Sequence, residues 1–234
     1  MNVQMIPAAL ALFFFVVPPL LAGMGLVPSL PAFMAWVFSL VPGIIAVGMG
    51  LRLVSKGDPK FGLLGIALGL LPPLVIGYGM VKSRAYPPIN DITTNFEAPP
   101  GFQKAQEAPD NQGRDLSYPL MYKSPQAQAY PDLKDIEVAR PAPEVFQVVQ
   151  AALATDAKLK IVAVDSENMR LEGEEKSTLF GFVDDFVVEV RATGDKSLVV
   201  LRSKSRFGQA DFGANALRLR RMIDLVQSKL GPTS

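Results

Sequence analysis

The side chains best suited to chemistry are concentrated in two short stretches of the C-terminal half. The first, Phe-Gly-Phe-Val-Asp-Asp-Phe, spans residues 180–186, and the second, Arg-Ser-Lys-Ser-Arg-Phe-Gly-Gln-Ala-Asp-Phe-Gly-Ala-Asn, spans residues 202–215. They supply carboxylates, guanidinium groups and hydroxyls to a chain that contains no cysteine and no histidine. Those two absences exclude disulfides, thiolate nucleophiles, histidine bases and nearly all zinc, haem and copper sites.

The carboxylates and cations of these stretches are expected to pair with each other. Strand alternation places Asp184, the neighbour of Asp185, in an apolar row where a carboxylate is unfavourable unless it is paired. Arg202, Lys204 and Arg206 share one face of a following strand by the same alternation. We therefore expect one of the two aspartates to bond across the hairpin to Arg202 or Arg206. In this interpretation the cluster is a structural latch between a strand, a loop and a helix.

The loop that follows has residues suited to a tight corner. Gly208 and Gly213 can adopt a positive φ, Asp211 can cap a turn, and Asn215 can bond to backbone at the start of a helix.

Three other uses of the same residues stay open at this point. Arg206, the loop amides and the N-terminus of the last helix could form a pocket for a lipid phosphate or carboxylate. Asp184, Asp185 and Asp211 could hold Mg²⁺ or Ca²⁺, although nearby arginines compete for these carboxylates, so we expect no resident metal or cofactor. Ser203 or Ser205 could be a nucleophile, but the only base in reach would be a lysine.

The elements that position this segment are preceded by a half of very different composition. Before Ser83 the charged side chains are Arg52, Lys56, Asp58, Lys60 and Lys82. Apolar runs at residues 6–27, 32–54 and 61–81 each have about the 20 residues needed to cross a bilayer. Residues 1–82 are therefore predicted to be a three-helix membrane anchor. A cleaved signal peptide fits the first run poorly, because no Lys or Arg precedes it and a second apolar run follows at once.

Small residues recur on the faces of the second and third runs. Ala46 and Gly50, like Gly65 and Gly69, are four positions apart and so share a helical face where backbones can approach closely. Packing within the anchor and docking against a partner membrane protein are the two interpretations.

Charge also predicts an orientation. Arg52, Lys56 and Lys60 cluster at the joint between the second and third runs, which places this joint in the cytoplasm by the positive-inside rule. The N-terminus is then cytoplasmic and the chain after Lys82 is periplasmic, in a bacterial inner membrane.

Residues 83–139 are rich in Pro, Gln and Asn and show no helical period. Because aromatic residues recur through this segment, we interpret it as an extended strap lying on the surface of a domain.

The domain itself is predicted over residues 140–234. A helix beginning at Pro143, strands at 158–165, 170–175, 180–192 and 197–206, and a helix over 213–230 follow from the apolar periodicities. The fold class is therefore a membrane-anchored α+β protein with a four-stranded antiparallel sheet and both helices on one sheet face.

The two stretches resemble the family catalogued as domain of unknown function 1499, whose pattern is roughly F-G-F-x-D-D and R-S-x-S-R-x-G-x-x-D-x-G-x-N. Residues 90–94, 99–102 and 129–132 contribute to the resemblance, which covers about residues 88–230. It implies a bacterial or plastid envelope setting and a small α+β domain, and it implies no established activity. Some members carry an N-terminal motif with cysteine, which this chain lacks.

These observations favour a non-catalytic accessory or scaffold protein that docks onto another envelope protein or membrane complex. The alternative is a lipid- or small-anion-binding protein of the envelope, and a hydrolase is a third hypothesis. The expected partners are the bilayer and another membrane protein, with a lipid or anion as a further ligand. Nucleic acid is not expected, since the net charge is +1 and no basic block is present.

Overall fold

The computed structural model describes residues 3–231, so residues 1–2 and 232–234 of the predicted anchor and domain lie outside the described residues. The chain divides into two compact units. The first comprises residues 1–85 together with Ser177–Phe182, and the second comprises Tyr86–Lys176 together with residues 183–234.

The first unit consists mainly of apolar helices. These are α1 (Ile6–Gly23), α2 (Ser29–Phe38), α3 (Leu40–Ser55) and α4 (Pro59–Ser83), with a short 3-10 turn at Val3–Met5. Helices α2 and α3 are separated only by Ser39 and form one continuous span. The four helices therefore give three spans that are long and apolar enough to cross a membrane. They are Val3–Gly23, Ser29–Ser55 and Pro59–Ser83, each starting a few residues before its predicted run.

Glycines allow α3 and α4 to pack with their backbones in contact. A Cβ added to Gly50 would lie 2.6 Å from the carbonyl oxygen of Gly62, and one added to Gly69 would lie 2.5 Å from that of Gly43. Gly65 faces Gly50 and the carbonyl of Ala46 at ordinary van der Waals distance. The four small residues singled out in the sequence thus lie within the α3–α4 contact of the helical unit.

The second unit is an α+β domain with six strands. The strands are β1 (Asp91–Thr93), β2 (Ile136–Val138), β3 (Lys160–Asp165), β4 (Arg170–Lys176), β5 (Val183–Thr193) and β6 (Lys196–Ser205). The helices are α5 (Lys123–Ala129), α6 (Ala142–Leu153) and α7 (Ala214–Leu230). The order across the sheet is β1-β6-β5-β4-β3, with every pair antiparallel, and β2 pairs with the same strand β6 as β1 does.

The prediction of a four-stranded sheet was therefore wrong in its strand count. The segment interpreted as an extended strap supplies β1 and β2, which pair with different parts of β6. Each is three residues long, too short for alternation to be recognised.

The start of the third predicted strand also differs. Residues Ser177–Phe182 form a closed loop before β5, in which Gly181 has a φ of +67° and its amide bonds to the Ser177 carbonyl. The alternation that placed Phe180 and Phe182 in a row with Asp184 ends at this loop.

The two faces of the sheet are covered by different parts of the chain. Helices α6 and α7 pack on one face, over a core that includes Phe186, Val188 and Leu201. On the opposite face, Val187 packs with strap residues Phe102, Ala105 and Leu116. The strap, residues 83–139, thus contributes β1 and β2 to the sheet, and its segment 102–116 forms a third layer of the domain.

We predict that Gly50→Ala destabilises the helical unit, because its Cβ would meet backbone atoms of α4 that cannot move aside. The expected loss is about 1–3 kcal/mol of unfolding free energy, measured by thermal melting in mild detergent. Gly48→Ala is the matched control on the same helix, where an added Cβ meets nothing within 4 Å. It should leave the melting temperature unchanged or raise it; equal losses in both variants would contradict the packing argument.

Candidate functional site

Asp185 and Arg206 form the centre of the predicted latch on the strap-facing side of the sheet. The Arg206 guanidinium donates to Asp185 at 2.6 Å and to Glu174 of β4 at 2.9 Å. The amide of Asn111, a strap residue, donates to the same Asp185 carboxylate at 2.7 Å. Arg206 is 9% exposed, so this cation is enclosed between two carboxylates.

Asp184 lies on the opposite face and pairs with a residue that the sequence analysis did not single out. Arg218 of α7 donates to Asp184 at 2.7 Å and to Glu175 at 2.9 Å. The sequence did contain a signal for Arg218, because this residue follows Asn215 by three positions and so shares its helical face. The same guanidinium also reaches the Asn215 side-chain oxygen at 2.6 Å.

The two serines of the motif are buried in this second cluster. The Ser203 hydroxyl lies 2.7 Å from the Asn215 side-chain oxygen and accepts a bond from Arg218 at 2.8 Å. The Ser205 hydroxyl accepts from the Asn215 amide at 2.9 Å. An arginine and an asparagine cannot take a proton from serine, so this geometry supplies no activated nucleophile.

Asp211 stabilises the loop before α7 through hydrogen bonds to the loop backbone. Its carboxylate accepts the amides of Gly213 at 2.9 Å and Asn215 at 2.8 Å, and burial raises the pKa of Asp211 above its ordinary value. Gly213 has a φ of +81°, and a Cβ there would lie 2.6 Å from the Tyr86 ring. Gly208 has a φ of +78° and its carbonyl accepts from Asn90 at 2.5 Å.

The donors expected to form an anion pocket therefore already have internal acceptors. Arg206 is held by Asp185 and Glu174, and two amides at the start of α7 are held by Asp211. Metal binding finds no support either: among residues 3–231 no group of three or more carboxylates could hold an ion.

Arg202 pairs with neither predicted aspartate but with Asp91 of β1. The pair is bidentate at 2.8 and 2.7 Å, and both side chains are almost completely buried, at 1% and 0% exposed. Lys204 donates to the same carboxylate at 2.9 Å. Asp91 belongs to the stretch 90–94 on which the family resemblance partly rested, and that stretch was the available signal.

The strap closes over this buried pair. Arg202 donates to the carbonyl oxygens of Pro100 at 2.8 Å and Leu116 at 2.7 Å. The rings of Phe102 and Tyr118 lie 4.8 and 5.8 Å from the guanidinium carbon, within cation–π range. One side chain of β6 thus binds the strap at two separated points.

Two further buried side chains bind the strap through its backbone. Glu172 of β4 accepts the amides of Gln103, Lys104 and Ala105 at 2.8–3.1 Å. Gln126 of α5 bonds to both the amide and the carbonyl of Thr93, at 3.1 and 2.6 Å. Gln126 thereby satisfies backbone groups on the edge strand β1.

One cleft of the domain lies within the strap. It has a volume of about 500 Å³ and is lined by strap residues that include Phe102, Asn111, Arg114 and Leu116. Its lining does not include Arg206 or the start of α7, where the sequence predicted a pocket for a lipid phosphate or carboxylate.

The fold and the site together define a class of protein: long apolar helices joined to an α+β domain whose charged motif is paired internally. Residues 91–226 match the model of a family described as "Protein of unknown function (DUF1499)". The chain belongs to this family, as the resemblance in the sequence indicated.

Other comparisons add little. No curated protein matches the chain. Among solved structures, the crystal structure of the protein TTHA0849 from Thermus thermophilus is similar at 13% identity and a TM-score of 0.29. The match covers 41% of this chain and 93% of that one.

We predict that Arg202→Met strongly destabilises the protein, because it leaves the Asp91 carboxylate buried with one lysine and releases two strap carbonyls. The expected loss is about 3–5 kcal/mol, measured by urea unfolding of the full chain in detergent. Arg220→Met is the matched control, since its pair with Asp132 is largely exposed and should contribute at most about 1 kcal/mol. Comparable losses in both variants would contradict the role assigned to burial.

Asp211 and Asp132 should contribute to the pH dependence of the unfolding free energy with opposite signs. Burial raises the pKa of Asp211, whereas the hydrogen bond from Arg220 lowers the pKa of Asp132. The contribution of Asp211 is therefore complete below its unfolded pKa of about 4 and is lost as pH rises through its folded pKa. The contribution of Asp132 is complete above that unfolded pKa and is lost as pH falls through its folded pKa.

The measurement is the melting temperature of wild type, Asp211→Asn and Asp132→Asn between about pH 3 and pH 7. The melting temperature of wild type minus that of Asp211→Asn should decrease as pH rises. The melting temperature of wild type minus that of Asp132→Asn should increase. A common direction in the two variants would refute this assignment.

Proposed function

We propose that this protein is a non-catalytic, membrane-anchored accessory or scaffold protein that docks onto another envelope protein or membrane complex. The observation that carries the proposal is that the charged and hydroxyl side chains of the family motif are bonded to other side chains of the same domain. Asp184, Asp185, Arg202 and Arg206 each have a buried partner of opposite charge. Groups that are paired and buried in this way hold layers together and are poorly placed to act on a substrate.

The proposed setting is a bacterial inner membrane. In this proposal the three spans cross the membrane, with the N-terminus in the cytoplasm and the domain in the periplasm. The support for this orientation is the cluster of Arg52, Lys56 and Lys60 around the α3–α4 joint. The end of α4 is then on the opposite side from that joint, and the domain follows it in the chain.

The docking surface is proposed to include two neighbouring strap residues. Leu120 and Met121 are 80% and 78% exposed, and they lie in the short 3-10 turn Leu120–Tyr122. The turn is fixed, because the Tyr122 amide bonds to the Pro119 carbonyl at 2.8 Å and the Tyr122 side chain packs against the core. Two adjacent, highly exposed apolar side chains on a fixed turn support the placement of the docking surface here.

We predict that replacing both Leu120 and Met121 with Ser releases the partner while leaving the fold intact. Both side chains are exposed, so the melting temperature should change little. The measurement is extraction of native membranes in mild detergent, followed by the native mass of the assembly that carries the chain. Wild type should migrate in an assembly well above its own 25.3 kDa plus detergent, and the double variant should not.

Val164→Ser serves as the control, since Val164 is a partly exposed apolar residue on strand β3. It should keep the assembly. A wild-type chain that is monomeric and free of partners in gentle extracts would refute the scaffold proposal itself.

A further inference from the structure

The loop Ser177–Phe182, which connects β4 to β5, belongs to the same compact unit as the apolar helices. A Cβ added to Gly23, the last residue of α1, would lie 2.7 Å from the Thr178 carbonyl oxygen. A Cβ added to Gly181 would lie 2.9 Å from the Ala22 carbonyl oxygen. The two glycines therefore allow the loop backbone to lie directly on the end of α1.

Aromatic rings fix the same loop to α2. The Phe180 ring lies 5.5 Å from that of Trp36 and 5.3 Å from that of Phe33, both edge to face. The Phe182 ring lies 6.0 Å from that of Phe33. These are the distances and orientations at which aromatic pairs attract each other.

The position of Trp36 along its span gives the depth of this contact. The span Ser29–Ser55 has 27 residues, so it is about 40 Å long and exceeds a hydrocarbon core of about 30 Å by about 5 Å at each end. Trp36 lies seven positions from Ser29, about 10 Å along the axis. The ring that Phe180 touches would therefore lie about 5 Å inside the hydrocarbon, next to the interface where tryptophan is enriched in membrane proteins.

Leu179 is the exposed large apolar residue of the loop. Its side chain is 55% exposed, and its carbonyl oxygen would be 3.3 Å from a Cβ on Gly23. At the same end of α1, Leu20 and Met24 are 58% and 71% exposed. The loop and the end of α1 therefore both carry large apolar side chains that are more than half exposed.

The composition and the internal hydrogen bonds of the loop also favour its transfer from water into a bilayer. Residues 177–182 are Ser-Thr-Leu-Phe-Gly-Phe and carry no charge. The Ser177 amide bonds to the Phe182 carbonyl, the Gly181 amide to the Ser177 carbonyl, and the Phe182 amide to the Ser177 hydroxyl, at 2.8–2.9 Å. These three bonds satisfy part of the loop backbone internally, which lowers the free-energy cost of moving the loop into a bilayer.

We propose that the loop Ser177–Phe182 is a fourth membrane element, which enters the interfacial region of the bilayer and places the Leu179 side chain among lipid acyl chains. The inference rests on the proposed insertion of the three spans. It assigns different roles to the two halves of the F-G-F-x-D-D motif: the aromatic half holds the loop on the helices, and the carboxylate half closes the domain.

The test uses the absence of native cysteine, so that Leu179→Cys creates a single thiol in the full chain. The variant is reconstituted into phosphatidylcholine–phosphatidylglycerol vesicles and labelled with a nitroxide. Collisions are then measured with oxygen, which concentrates in lipid, and with a water-soluble nickel complex. Two reference variants are Ile44→Cys, 66% exposed in the middle of its span, and Asp195→Cys, in the exposed turn between β5 and β6.

The expected result is loss of nickel collisions at residue 179, with oxygen collisions close to those at residue 44. Nickel collisions equal to those at residue 195 would overturn the inference, as would protection from both reagents, which would mean that protein covers the loop. If residue 44 is itself open to nickel, the membrane insertion of the spans fails, and the inference with it. Unchanged emission from Trp36, the single tryptophan, shows that each variant has kept the loop contact.

Discussion

The domain depends above all on one buried charge, the carboxylate of Asp91. It is 0% exposed and lies in the three-residue edge strand β1, where it is unfavourable without cations. Arg202 and Lys204 both reach it from β6, and Arg202 needs acceptors for its remaining donors, which two strap carbonyls supply. The Asp91–Arg202 ion pair can therefore be buried only because the strap supplies acceptors to Arg202. In turn, the strap is held in place by its hydrogen bonds to Arg202.

The adjacent aspartates of the motif extend this constraint to the whole domain. Because successive side chains of a strand point to opposite faces, Asp184 reaches Arg218 on the helix side while Asp185 reaches Arg206 and Asn111 on the strap side. One dipeptide thus ties the helical layer and the strap to the same strand. A single aspartate at either position could bind only one of the two layers.

The sequence was informative where an interaction is local or periodic, and it was not where partners are distant in the chain. Asp185 lies on β5 and Arg206 directly follows the paired strand β6, so alternation was enough to suggest their contact. Asp91 and Arg202 are 111 positions apart, and no period relates them. Likewise, the four longer strands showed their alternation, whereas β1 and β2 are defined only by their pairing with β6.

The seven residues from Phe180 to Phe186 join two environments with opposite requirements. Residues 180–182 belong to the unit of apolar helices, and residues 183–186 belong to the unit of buried ion pairs. The chain passes between the units at residues 85–86, 176–177 and 182–183, so neither unit is a single continuous piece. A fragment that began at Tyr86 would leave Phe180 and Phe182 without Phe33 and Trp36. It would present their rings to water, and its surface would therefore differ from that of the intact protein.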